Sequence, residues 1–248
     1  MRYLDAKAAQ EIDNDLMNEH GAFSLDQLME LAGLACATAL QKVFPIETHP
    51  RVLVCCGPGN QGGDGLVAAR HLGMFGYEST IYLPKPGSKD IYKRLQQQCT
   101  NMNIRTISTI DELRAALPTN DVILDAIFGF SFKPPVRPPF DEVLELLGGN
   151  GAPPIVSVDV PSGWDVERGR PNAPLPTKGE KGTPAIEPAV LISLTAPKQG
   201  VRDFKGRHFL GGRFVPKYIE EKYALALPPY KGSEQVVELP SNDNPVKL

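Results

Sequence analysis

Strand-length apolar runs alternate with amphipathic helical segments along this chain. That order predicts an α/β fold, a mostly parallel sheet with helices on both faces. Two further observations support it. The apolar runs, such as "RVLVCC" at 51–56 and "PIVSVDVP" at 154–161, are short and bounded by Pro or Gly, as buried strands are. A glycine-rich stretch, "GPGNQGGDG" at 57–65, joins the first run to a helical segment, where α/β sheets bind ligands. With 248 residues, no internal repeat and no visible boundary, residues 1–248 read as a single domain.

The elements follow in order. Residues 5–20 place apolar side chains at helical spacing until Gly21. "SLDQ" at 24–27 is a capping box, Ser24 bonding forward and Gln27 reaching back, and it opens a helix that Pro45 ends. That helix is apolar over most of its surface, so it should be deeply buried. A strand at 51–56 is followed by a helix at 64–75, a strand at 79–84 and a helix at 90–102. A strand at 104–108, a helix at 110–117, a strand with its loop at 121–130, a helix at 140–149 and a strand at 154–161 continue the pattern. Residues 167–188, rich in Pro, Gly and Lys, read as an exposed loop. "AVLISLTAP" (189–197) and "HFLGGRFV" (208–215) read as strands, 216–223 as a helix, and the proline-rich tail from Pro228 as weakly structured.

Composition narrows the function classes. A net charge of -3 with scattered basic residues gives no footprint for nucleic acid. The apolar runs are too short to span a bilayer, so no membrane partner is expected. Residues 1–17 lack a signal core and are too acidic for a transit peptide, so a cytoplasmic location is expected, with a mitochondrial copy also open. Cys36, Cys55, Cys56 and Cys99 show no metal-ligand spacing and read as core thiols of a reducing compartment. Cys55 and Cys56, adjacent on one strand, should point to opposite faces.

Gly57, Gly59 and Gly62 match the G-x-G-x-x-G spacing of dinucleotide-binding turns. Two features argue against an ordinary NAD(P)-dependent oxidoreductase. The second strand ends "IYLPKPG", with no carboxylate for a ribose. Asp64, expected in the first helical turn, would repel a pyrophosphate held there. Other strand ends carry oxygens and amides: Asn60 and Gln61, Asp125, then Asp159 and Ser162. Asp125 and Asp159 follow apolar runs, and a buried carboxylate needs hydrogen bonds, a cation or a proton. An oxygen-only set suits a hard cation. Lys133 and Lys198 are candidates to meet an anion, Trp164 to cover a ring or to pack, and His71 reads as structural.

Together, "GPGNQGGDGLVAARHL", "DAIFGFSFK", "SVDVPSGWDV", "LISLTAPK" and "FLGGRFVP" resemble, in content and order, the NAD(P)H-hydrate epimerases. The resemblance covers almost the whole chain. It implies a Rossmann-like three-layer αβα sandwich of the stand-alone form, a homodimer and a bound potassium ion. It also implies a substrate, NADH or NADPH hydrated on the nicotinamide ring. The family interconverts the R and S epimers so that a separate dehydratase, acting on one of them, can repair the whole pool. By motif, Asn60, Gln61, Gly62, Gly63 and Asp64, then Gly129, Phe130, Ser131, Phe132, Lys133, Pro134 and Pro135, and also Asp159, should line the substrate. Asn60, Asp125 and Ser162 should hold the potassium ion. Many relatives read Asn-Asn where this chain has Asn60-Gln61, and Pro134 stands where relatives often have glycine. The hydrated carbon is a hemiaminal centre, so inversion needs a proton given to a departing hydroxyl and one taken from a returning water. Asp159, at a strand end, is the candidate catalytic residue. The alternative is a non-enzymatic nucleotide-binding interaction protein. Intact Asn60, Asp125, Asp159 and Ser162 favour chemistry.

Overall fold

The computed structural model describes residues 1–171 and 184–240. Its strands are β1 (Arg51–Cys56), β2 (Glu78–Tyr82), β3 (Arg105–Ile107), β4 (Val122–Ala126), β5 (Ile155–Val158), β6 (Val190–Leu194), β7 (Arg207–Gly211) and β8 (Val237–Glu238). They form one sheet in the order β3-β2-β1-β4-β5-β6-β7-β8. Neighbouring strands are parallel through β7, and only β8 runs antiparallel to its neighbour. The order reverses between β1 and β4. The loops leaving those two strands diverge, which opens a crevice above their carboxyl ends.

The helices are α1 (Ala6–Met17), α2 (Leu25–Val43), α3 (Asn60–Met74), α4 (Asp90–Asn101), α5 (Ile110–Ala116), α6 (Phe140–Leu147) and α7 (Lys217–Tyr223). The period of two along β1 builds the two covering layers. Val52, Val54 and Cys56 face the cluster that includes Leu40, Leu72 and Leu95 of α2, α3 and α4. Leu53 and Cys55 face Leu113 of α5 and Val143 and Leu144 of α6. The two cysteines therefore point to opposite faces, and all four cysteines are buried and unbridged. Each fully buried aliphatic side chain contributes roughly 1.5–3 kcal/mol. Helix α2 lies close on α3 because Gly33 has no side chain: a Cβ there would sit 2.4 Å from Val67 Cβ.

Helix α1 packs apart from these layers, with Ile12 and Leu16 against Ile219 and Tyr223 of α7. The residues before it are tied to the sheet's carboxyl edge. Leu4 forms a parallel bridge with Lys198, its N–H bonding Pro197 O at 2.8 Å and its carbonyl accepting from Gln199 N at 2.8 Å.

Several boundaries differ from expectation. The glycine-loop helix starts at Asn60 rather than 64, with Gly59 as its N-cap. Asp64 is therefore past the first turn rather than in it. The apolar run at 208–215 stays extended only to Gly211, because Gly212 turns with φ +79°. The tail contains β8, which pairs Val237 and Glu238 with Leu210 and Phe209. Residues 172–183 of the expected loop and 241–248 of the tail lie outside the described residues.

Candidate active site

The loop after β1 is pressed onto the end of β4. Gly57 N donates to Ala126 O at 3.0 Å, and Gly57 O sits where a Cβ on Gly62 would come within 1.8 Å. Only glycine allows that approach at position 62, and it brings the start of α3 over the strand ends. Gln61 Nε2 then donates to Val158 O, tying α3 to β5. Asn60 Oδ1 accepts from the Tyr92 hydroxyl of α4 at 2.6 Å.

β5 and β6 end alike. Val160 N bonds Val158 O at 2.8 Å across Asp159, and Ala196 N bonds Leu194 O at 2.7 Å across Thr195. The central residues have φ +63° and +67°. These are γ-turns of the rare, strained hand, and side chains other than glycine are held in them only by their surroundings. The surroundings here are electrostatic. Lys198 Nζ donates to Asp159 Oδ1, to Leu194 O at 2.9 Å and to Ala196 O at 3.1 Å, so each ammonium proton has an acceptor. Asp159 Oδ1 also accepts from Leu194 N at 3.3 Å, and Oδ2 from Phe130 N at 3.3 Å. Both side chains of this ion pair are 3% exposed. Asp159 Oδ2 keeps one lone pair for a ligand.

Behind this pair lies Asp125, 1% exposed. Its carboxylate accepts from Ser157 Oγ at 2.8 Å, Ser162 N at 3.0 Å, Ser162 Oγ at 2.6 Å and Ile127 N at 3.3 Å. Burial pushes its carboxyl upward, and the donors from Ser162, Ser157 and Ile127 pull it back. Ser162 Oγ accepts in turn from Phe128 N at 3.0 Å.

A cavity of about 510 Å³ opens above these strand ends. Asn60, Gln61, Asp64, Gly129, Phe130, Ser131, Phe132 and Asp159 all line it. Among the remaining candidates, Gly62 and Gly63 are buried beneath the wall, while Lys133, Pro134 and Pro135 are exposed and off it. Asp125 and Ser162 are joined to each other but sit behind the wall. Trp164 packs: its Nε1 donates to Ile186 O at 2.9 Å and its ring meets Phe204. His71 bonds Glu30 at 2.7 Å in a link from α3 to α2, a structural role.

Sequence reading missed two contributors to the wall. Lys198 carried only a generic anion-binding role, and Asp13 of α1 none at all. Lys198 signalled itself by following the strand-end "LTAP", but only the fold pairs it with Asp159. Asp64 is 9% exposed, and no hydrogen bond or ion pair holds its carboxyl among the described residues. Burial, then the nearby Asp159 and Asp13, raise it well above the ordinary carboxylate range. Asp13 is pushed up to about 6, by burial and by Asp159, with Lys198 acting the other way.

The oxygen set suits a monovalent cation in kind. Asp125 is a buried acid that no side-chain cation pairs among the described residues, and Asn60 Oδ1, at the start of α3, and Ser162 Oγ, after β5, are neutral oxygens. Among the described residues no group of three His, Cys, Asp or Glu side chains gathers as a metal site.

Fold and site together define a nucleotide-fold α/β protein whose switch-point cavity is walled by carboxyl groups, equipment for moving protons. The chain belongs to the NAD(P)H-hydrate epimerase family: the family model described as YjeF-related protein N-terminus matches residues 25–200. A protein of Cryptococcus neoformans var. neoformans serotype D named NAD(P)H-hydrate epimerase is 58% identical over 98% of this chain and 99% of its own length. One of the same name from Puccinia graminis f. sp. tritici is 56% identical, covering 96% of this chain and 94% of its own. The crystal structure of yeast ynu0, YNL200c, superposes with a TM-score of 0.87 at 40% identity, over 96% of this chain and 100% of that one.

Proposed function

We propose that this chain interconverts the R and S epimers of hydrated NADH and NADPH. The observation that carries the reading is the buried Asp159–Lys198 pair on the wall of a cavity shared with two further carboxyl groups, Asp13 and Asp64. At the hemiaminal carbon, the ring nitrogen's lone pair expels the hydroxyl as water and leaves a flat cation. Water returns to the other face. Asp159 presents a free lone pair at a strained, fixed position, fit to take a proton there, and general acid–base help of this kind is worth about 10²–10⁴-fold. Phe130 and Phe128 offer apolar ring surface on the same wall, which excludes bulk water from the cation. Asp13, Asp64 and Asp159 gather on the wall beside the start of α3, and carboxyl groups there suit the hydroxyl of the nicotinamide end rather than a pyrophosphate.

Potassium belongs to this proposal. Asn60, Asp125 and Ser162 would hold it, and when bound it supplies a fixed positive charge beside the strand ends. The family resemblance adds a homodimer and a separate dehydratase that consumes one epimer. A cytoplasmic location is part of the proposal, and the unbridged cysteines agree with it. No helix among the described residues is long and apolar enough to cross a membrane.

The test uses the pure R epimer of hydrated NADH, with formation of S followed by chromatography, with and without potassium, and the uncatalysed background subtracted. Conversion well above background is the expected result. Conversion at the background rate in both salts would remove the activity.

A further inference from the structure

Asp13 lies outside the segment that the family model matches, and nothing in the glycine loop or the strand ends points to it. It reaches the site through the fold. The bridge between Leu4 and Lys198 starts α1 at the sheet's carboxyl edge, and the helix then carries Asp13 along the cavity wall. Its carboxyl has no hydrogen-bond or ion-pair partner among the described residues. Leaving a polar group half-buried and unpartnered is costly unless a ligand uses it. Asp64, nine-tenths buried and equally unpartnered, opens on the same space.

The charged groups around Asp13 are unequal. Asp159, from the end of β5, is bound to Lys198 and two backbone N–H groups. Asp13 has only open cavity, with Asp159, Lys198 and Asp64 acting on it through space. A carboxylate held by an ammonium and two N–H groups, facing a second carboxyl group open to the same cavity, offers the two partners that an acid–base pair needs.

We infer that Asp13 is the second proton carrier of the epimerisation, giving its proton to the departing hydroxyl while Asp159 takes one from the returning water. This rests on the epimerase reading above. In the first step the carbon–oxygen bond breaks, the Asp13 proton leaves with the oxygen as water, and the ring nitrogen's lone pair forms the C=N⁺ bond. In the second, water adds to the opposite face, the C=N⁺ electrons return to nitrogen, and the surplus proton goes to Asp159. One proton has passed from Asp13 to Asp159, and exchange with cavity water restores the pair. The reverse epimerisation uses the same groups in swapped roles.

The experiment compares the unsubstituted chain with Asp13→Asn and Asp13→Glu, using R-hydrated NADH and measuring kcat and KM across pH. For the unsubstituted chain, kcat/KM should fall as pH rises past about 6, where Asp13 loses its proton. Asp13→Asn should lower kcat by about 10²-fold with KM changed little, and should erase that limb. Asp13→Glu should keep the limb and recover part of the rate. Asp13→Asn with full kcat, or with the limb intact, overturns the role. A melting temperature for Asp13→Asn far below that of the unsubstituted chain also overturns it, because a carboxyl without protein partners holds no structure together. An unsubstituted chain with no epimerase activity would fail one level earlier, at the proposed function, and so separates the two claims.

Discussion

Asp159 is both strained and paired, and its substitution should show both properties. Asp159→Asn should slow epimerisation at least about tenfold. It should also destabilise the fold by a few kcal/mol, up to about 3–5, because Lys198 is left charged and buried. Adding Lys198→Met should restore stability in urea unfolding without restoring turnover. If turnover returns with stability, Asp159 holds the fold and does not handle protons. The raised carboxyl of Asp64 gives a pH signature. Its folded state keeps a proton that the unfolded chain releases near its ordinary value of 3.8. The stability this contributes is full below that value and is lost as pH rises toward the folded value, at about 1.4 kcal/mol per pH unit. Asp64→Asn should therefore match the unsubstituted protein at about pH 4 and exceed it at about pH 7 in urea unfolding. Equal stability at both would place Asp64 in contact with solvent or a cation. Asp125, Asp159 and Ser162 were legible as strand-end residues, because β-strand ends in α/β sheets are where ligands go. Asp13 was not. Its position on a helix, beside Asn14 and one turn from Gln10, reads as the edge of a solvated face until the docking of α1 is known.

The decisive element is the turn from β1 into α3. Its start was misplaced in the sequence because glycine and asparagine are poor helix formers, and Asn60, Gly62 and Gly63 delay the expected helix to Asp64. Tertiary contact overrides this: Gln61 anchors to Val158 O, and Gly62 closes on Gly57. Gly62→Ala would put a Cβ 1.8 Å from the Gly57 carbonyl, and backbone cannot give way as a side-chain tip can. That variant should fold with the loop displaced, lose at least about tenfold in kcat/KM, and keep its helical circular dichroism. Unchanged kcat/KM would show that the loop does not position the site. Helix α2 was legible end to end. Its capping box is present, with Ser24 Oγ accepting from Gln27 N at 3.2 Å and Gln27 Oε1 from Ser24 N at 2.9 Å. β8 was not legible, because two residues in a proline-rich tail are too short to carry a period.

For the whole molecule, one sheet gathers chemistry from distant parts of the chain. Topology places the loops of β1 and β4 side by side, β5 and β6 next to them, and α1 across the top. The alternation of strand and helix made the sheet and its layers readable, since the central strands β1, β4, β5 and β6 bury both faces. It could not tell which face or edge α1 would cover, because that depends on a single bridge far from it in sequence. The central claim is that the cavity receives the hydrated nicotinamide ring between these carboxyl groups, and not a pyrophosphate. The most direct measurement is a crystal structure of the Asp159→Asn variant with hydrated NADH bound. The ring hydroxyl should lie within hydrogen-bond reach of Asp13, with position 159 at the opposite face of the ring and the pyrophosphate away from the start of α3. Pyrophosphate oxygens seated on the N–H groups of residues 62–65, with the ring outside the cavity, would contradict it.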